Sequence, residues 1–218
     1  MHSELTLSKT LLNILAQLYY SLINFIFYLP CGGENCFRKR CMNFAGSAEG
    51  EQVLDVCCGT GTLTSLIAHR VGLNGQVIGV DITESALEIA RTKTQNLSVT
   101  LLRVNAENLP FDSSRFHKCF ISFGLHHMPR QARQNTLKEI HRTLTAAGSL
   151  FVVDYNLSKR ALARLITRAL AKLDESEEAY RMLMNSSLLK EIEQAGLEVR
   201  RQESLCKGMV QLVEAVNT

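Results

Sequence analysis

Two groups of residues in this sequence have the types and spacing to do chemistry. The first is Val53-Leu-Asp-Val-Cys-Cys-Gly-Thr-Gly-Thr-Leu-Thr-Ser-Leu-Ile-Ala68, an apolar run that ends in an acid and small residues and passes directly into a helical pattern. It predicts a strand, a tight loop and a helix whose opening N–H groups have no partner within the helix. Gly59 and Gly61 would let the loop backbone come close to a ligand. Twenty residues beyond Gly61, after a second apolar run, Gln76-Val-Ile-Gly-Val80, stands Asp81. A doubly wound sheet places there the acid that receives the two hydroxyls of a ribose. The charge at the front of the loop says more about the ligand. Asp55 would repel a diphosphate and attract an ammonium or sulfonium group, and Thr64 stands where a dinucleotide fingerprint has its third glycine. The second group is His126-His127, just past a fourth apolar run, on the side of the pocket where a reacting partner should lie. A neutral imidazole there can accept a phenolic or ring proton near neutral pH. The alternative is that both rings only shape the pocket.

The seven cysteines, at 31, 36, 41, 57, 58, 119 and 206, are odd in number and form no paired secretory framework. Free thiols in a reducing, cytoplasmic compartment are expected. Adjacent Cys57 and Cys58 read as small residues packing a tight loop. Cys31, Cys36 and Cys41 recur at steps of five around Arg38-Lys-Arg40. Zinc ligands favour shorter gaps and need a fourth partner, so no metal is expected.

Positioning these groups requires a sizeable core, and 218 residues at 46% hydrophobic content can build one. Net charge is only +3 and tryptophan is absent, so nothing in the composition points to nucleic acid. After the loop, Thr83 is expected to cap a helix to about Gln95, and Ser98 to Val104 to form a third strand ending at Asn105-Ala106. His117 to Phe123 makes a fourth strand, and a helix opened by Pro129 is expected to run until Gly148 ends it. Ser149 to Val153 is the fifth strand, closing on Asp154. A last helix from about Ser187 to Ala195 leads into Leu197 to Arg200 and Met209 to Val213, expected as an antiparallel hairpin. Two stretches have membrane alternatives. From Thr10 to Gly33 there are 24 residues without a charge, with Asn13, Gln17, Ser21 and Asn24 forming one polar stripe. A helix covering the mouth of the pocket ranks ahead of an interfacial helix, and that ahead of a span. Lys159 to Lys172 is two-faced, with Leu162, Leu165, Ile166 and Ala169 opposite Arg160, Arg164 and Arg168. A core-facing helix ranks ahead of one lying on an anionic surface. Asp174 to Glu178 reads as an exposed acidic turn. The division expected is a helical cover over residues 1–45 and a ligand-binding domain over 46–218.

The loop resembles motif I of the class I S-adenosylmethionine-dependent methyltransferases. From about Tyr19 onward, the chain is similar to the ubiquinone/menaquinone biosynthesis C-methyltransferases. Four stretches carry the likeness: Asp55 to Gly61, Asn105-Ala-Glu-Asn-Leu-Pro-Phe111, Ile121-Ser-Phe-Gly-Leu125 and Tyr20-Ser-Leu-Ile-Asn24. The resemblance implies a Rossmann-like, seven-stranded, mostly parallel α/β sheet with a C-terminal antiparallel hairpin, and S-adenosylmethionine as cofactor. Its implied contacts, together with the loop residues, are Tyr20, Asp55, Cys57, Gly59, Thr60, Gly61, Asp81, Ile82, Asn105, Ala106 and Ser122. His126 and His127 are the candidate catalytic residues. Departures fall on the acceptor side: His126-His127 replaces the usual Arg-Asn, Ser21 replaces an acid, and the insert after Asn156-Leu-Ser-Lys159 looks shorter. The reading is methyl transfer to a small quinol or phenolic acceptor, with a lipid-like acceptor met through peripheral membrane contact as its second-ranked form. Its rivals are a methyltransferase for another small molecule and a cofactor-binding assembly or regulatory protein. A nucleotide-dependent oxidoreductase is disfavoured by Asp55.

Overall fold

The computed structural model describes residues 28–46, 49–173, 177–185 and 187–218. The expected cover over residues 1–45, including Tyr20, therefore lies outside the described residues up to position 27. The strands are β1 (Gln52–Val56), β2 (Gln76–Asp81), β3 (Val99–Arg103), β4 (Phe116–Ser122), β5 (Leu144–Tyr155), β6 (Leu197–Leu205) and β7 (Val210–Asn217). They form one sheet in the order β3-β2-β1-β4-β5-β7-β6. The first five are parallel, and β7 pairs antiparallel with both β5 and β6. The helices are α1 (Glu34–Ala45), α2 (Thr62–Val71), α3 (Glu84–Thr94), α4 (Arg130–Thr143), α5 (Ala161–Leu173), α6 (Glu177–Asn185) and α7 (Leu188–Gln194).

Alternation along the strands gives the sheet two buried faces. Val53, Val77, Phe120 and Phe151 join one core with Phe37 and Ile67 from α1 and α2. Leu54, Ile78, Ile121 and Val152 join the other with Leu137 and Ile140 of α4 and Ile192 of α7. The adjoining ends of β1 and β4, next to each other in the sheet but separated along the chain by β2 and β3, open the crevice in which such folds bind ligands.

Several boundaries differ from the sequence expectation. The helix after Pro129 stops at Thr143, because Leu144 already pairs with Phe116; β5 then bulges at Ala147, in the left-handed region at φ 61°, before Ser149 pairs with Lys118. The hairpin strands are longer than their apolar cores, because cross-strand pairing carries the polar stretch Arg200–Ser204. Within the expected acidic turn, Glu177 instead opens α6 and pairs with Arg181. Among the described side chains of α5, Ala163 and Thr167 are buried, whereas Leu162 and Leu165 are 72% and 66% exposed. The core-facing expectation for those two leucines is therefore overturned.

The expectation of seven free thiols is also corrected: Cys31 and Cys206 form a disulfide, with their Cα atoms 5.1 Å apart. The fold lays a 3₁₀ turn at Leu29–Cys31 against another at Cys206–Gly208, a juxtaposition across 175 residues that spacing alone does not reveal. The remaining described cysteines are unpaired, and burial pushes the Cys57 and Cys41 thiols up to about 12 and the Cys58 and Cys119 thiols upward as well. In those four, burial disfavours the nucleophilic thiolate.

Candidate active site

The β1–α2 loop makes the floor of a cavity of about 560 Å³. Asp55, Cys57, Gly59, Thr60, Asp81, Ile82, Ser122 and His127 all line it. Gly61, Asn105, Ala106 and His126 do not.

The two loop glycines have different duties. A Cβ on Gly59 would meet nothing within 4 Å, so its backbone faces the space a ligand would take. A Cβ on Gly61 would lie 2.8 Å from that of Ala90, so Gly61, at φ 73°, serves the packing of α3 on the loop rather than ligand approach. Cys57 adopts φ 55°, a conformation that favours glycine, and its side chain fills the space beside Gly124. Lys93 ties the loop to α3 by donating to the hydroxyls of Thr60 and Thr62 at 3.1 and 2.8 Å.

The two acids are held differently. Asp55 is buried and accepts a 2.6 Å hydrogen bond from the Thr64 hydroxyl. Burial pushes its carboxyl up to about 7, against the lowering pull of that bond and of Arg38. Asp81 accepts from the Gly59 and Thr83 N–H groups, each at 2.8 Å, which fixes the carboxylate at the end of β2 with lone pairs left for two hydroxyls. Beside it, Ile82 is 63% exposed and gives the cavity an apolar face.

Asn105 is the clearest departure on the cofactor side. Its side-chain oxygen accepts from the Glu107 N–H at 3.0 Å, so it folds back on its own backbone instead of standing on the cavity wall. Arg38, which the motif reading passed over, does line the cavity; it reaches across from α1 while paired with Glu34 at 3.1 Å. Its sequence signal was faint, one cation four residues after an acid, outside any motif. It places a positive charge in the cavity that Asp55 also lines.

His126 is buried behind the cavity wall. Its Nδ1 lies 2.7 Å from Asp154 Oδ1, with both side chains almost wholly buried. Its ring centroid is 4.0 Å from that of His127, on the cofactor cavity, and 4.7 Å from that of Tyr155. Tyr155 lines a second cavity of about 720 Å³. His126 thus packs against residues of both cavities while lining neither. Among the described residues no group of three or more His, Cys, Asp or Glu is arranged to hold a metal ion.

A parallel sheet crossed in this order, a glycine loop fronted by an acid, and a second acid at the end of β2 define the class I S-adenosylmethionine-dependent methyltransferase. The open face at Gly59, the fixed Asp81 carboxylate and the cavity volume fit that cofactor. Residues 53–148 match the methyltransferase domain family. The demethylmenaquinone methyltransferase of Staphylococcus epidermidis is 32% identical over 191 residues, which are 82% of this chain and 76% of that one. That of Staphylococcus saprophyticus is 38% identical over 119 residues, 54% of this chain and 50% of that one. A methyltransferase structure from Aquifex aeolicus superposes with a TM-score of 0.68 at 21% identity, over 83% of this chain and 89% of that one. The chain belongs to the S-adenosylmethionine-dependent methyltransferases and, within them, resembles the ubiquinone/menaquinone biosynthesis enzymes.

Proposed function

We propose that the protein methylates a small quinol or phenolic acceptor, with His126 taking the acceptor's proton. One observation carries this reading: the buried His126–Asp154 pair packs against His127, which lines the cofactor cavity, and against Tyr155, which lines a second cavity of about 720 Å³. The relatives named for demethylmenaquinone support a quinol-like ring. S-adenosylmethionine supplies a methyl group already activated on a sulfonium. The chain's own residues therefore have to position, exclude water and move a proton. Arg38 would hold a carboxylate, Asp81 the ribose hydroxyls and Ile82 one face of the base. Asp154 accepts from Nδ1–H of His126, which leaves Nε2 as the basic nitrogen and stabilises the imidazolium once it forms. The acceptor's proton goes to that nitrogen as the new bond to methyl forms.

The test is steady-state turnover with a quinol or phenol panel, alongside calorimetric titration of S-adenosylmethionine. His126→Ala should lower kcat by at least about tenfold with cofactor affinity intact. Asp154→Asn should lower kcat and shift its pH profile. Turnover equal to the parent protein in His126→Ala rejects the catalytic role.

A second reading, peripheral membrane contact, has its own support in α5. The exposed Leu162 and Leu165 share that helix with exposed Arg164 and Arg168, an apolar and cationic mixture suited to anionic lipid. No helix among the described residues is long and apolar enough to cross a membrane. Sedimentation with anionic vesicles should fall with salt and with Arg164→Gln plus Arg168→Gln. Protein left in the supernatant at low salt removes this reading.

A further inference from the structure

The second cavity differs in charge from the first. The cofactor cavity is lined by two acids, Asp55 and Asp81, against one cation, Arg38. The second cavity is lined by Lys159, Arg160 and Lys207 and, among the described residues, by no acid. None of these three cations has an ion pair within the described residues.

The remaining wall is amphipathic. Leu157, Met182 and Leu188 give it an apolar side, and the hairpin contributes Gln202 and Gln211. The apolar side is firmly held, because a buried ion pair between Arg133 and Glu191 at 2.7 Å pins α7, which carries Leu188, onto α4. The cationic side is held as well. Lys207 lies in the left-handed region at φ 58°, where a side chain is strained, and several contacts keep it there. Ser158 donates to its carbonyl at 2.7 Å, Asn156 donates to that of Gly208 at 3.0 Å, and Cys206 beside it is fixed by the disulfide.

We propose that this cavity binds an anionic group, a carboxylate on an aromatic ring, carried by the methyl acceptor. The inference rests on the acceptor reading above and narrows it to phenolic or quinol acids. Adjoining cavities of opposite sign suit a cationic methyl donor and an anionic acceptor, and each would repel the other's ligand. The distance is short enough for one small molecule to serve both ends. Tyr155, on the second cavity, has its ring centroid 5.6 Å from that of Phe123, which lines the first. An acceptor whose carboxylate meets Lys159, Arg160 and Lys207 would lay its ring along Tyr155, whose own ring packs on that of His126.

The experiment uses the full chain saturated with S-adenosylhomocysteine. A hydroxynaphthoate and the naphthol lacking its carboxylate are titrated separately by fluorescence, with inorganic phosphate as competitor. The acid should bind at least about tenfold more tightly than the naphthol, because a charge-assisted contact is gained. Arg160→Gln and Lys207→Asn should abolish that preference, and asparagine tolerates the left-handed conformation at 207. Affinity for S-adenosylmethionine, measured on the same variants, should not change. Equal binding of the two compounds, binding of neither, a preference that survives both substitutions, or displacement by phosphate at concentrations comparable to the acid overturns the proposal. Loss of S-adenosylmethionine binding in the parent protein would instead overturn the cofactor reading.

Discussion

Changing pH should switch the cofactor site through one carboxyl group. Asp55 is 1% exposed, and burial pushes its pKa from 3.8 up to about 7. Below that pH the ligand-free protein holds Asp55 neutral, whereas a bound sulfonium and ammonium favour the carboxylate. The complex then binds fewer protons than the free protein, so affinity must rise with pH. If the bound carboxyl titrates well below 6, affinity at pH 8 should exceed that at pH 6 by about tenfold, or about 1.4 kcal/mol. The ligand-free fold responds with the opposite slope. A carboxyl raised in the folded state holds its proton where the unfolded chain has lost it, so stability falls as pH rises from 3.8 to about 7. That loss is limited to about 4 kcal/mol. Calorimetry in buffers of different ionisation enthalpy should detect proton release on binding near pH 6, and denaturant titrations report the stability slope. Asp55→Asn, which preserves the Thr64 contact, should flatten both, leaving only what the ligand's own amine contributes. Unchanged slopes in that variant, or no proton release in the parent protein, would refute the burial argument.

Asp81→Ala should weaken S-adenosylmethionine binding by about 1–3 kcal/mol, read by calorimetry, because it removes the charged acceptor and frees the Gly59 N–H. Gly61→Ala should destabilise the fold by about 2–4 kcal/mol, combining a left-handed φ with overlap on Ala90; denaturant unfolding measures it, and a neutral result would mean that α3 can shift away. Reduction, or Cys206→Ser, should cost about 2–5 kcal/mol through the 175-residue closure, seen as a melting point lower by roughly 5–15 °C; an unchanged melting point would leave the bond without a stabilising role.

The residues that line the first cavity were legible because they sit at or just past the ends of local apolar runs. Asp55 lies near the end of β1 with Gly59 just past it, Asp81 ends β2 with Ile82 next to it, and Ser122 ends β4, so strand ends lead directly to residues that line the cavity. Residues brought in by tertiary contact were not legible in this way. Arg38 comes from a helix ahead of the loop and carries no motif. Asp154 was visible as an acid after a strand, but its partnership with His126 depends on β4 and β5 being neighbours. Asn105 lies off the cavity wall for a local reason, since its side chain bonds its own backbone. Leu162 and Leu165 failed because helical periodicity reveals that a face is apolar without saying which way it turns. The second cavity is assembled from four separate stretches of chain, and no one of them announces it.

The bond between Cys31 and Cys206 also changes how the molecule can come apart. It closes the backbone between those positions into a covalent ring that contains the glycine loop, the His126–Asp154 pair and most of the sheet. A protease that cuts this ring once opens it without separating anything. The nicked protein would run at its full mass on a gel without reductant and split into two pieces with it. A second cut is needed before any piece can leave, so a single nick in an exposed loop leaves every strand of the sheet tethered to its neighbours.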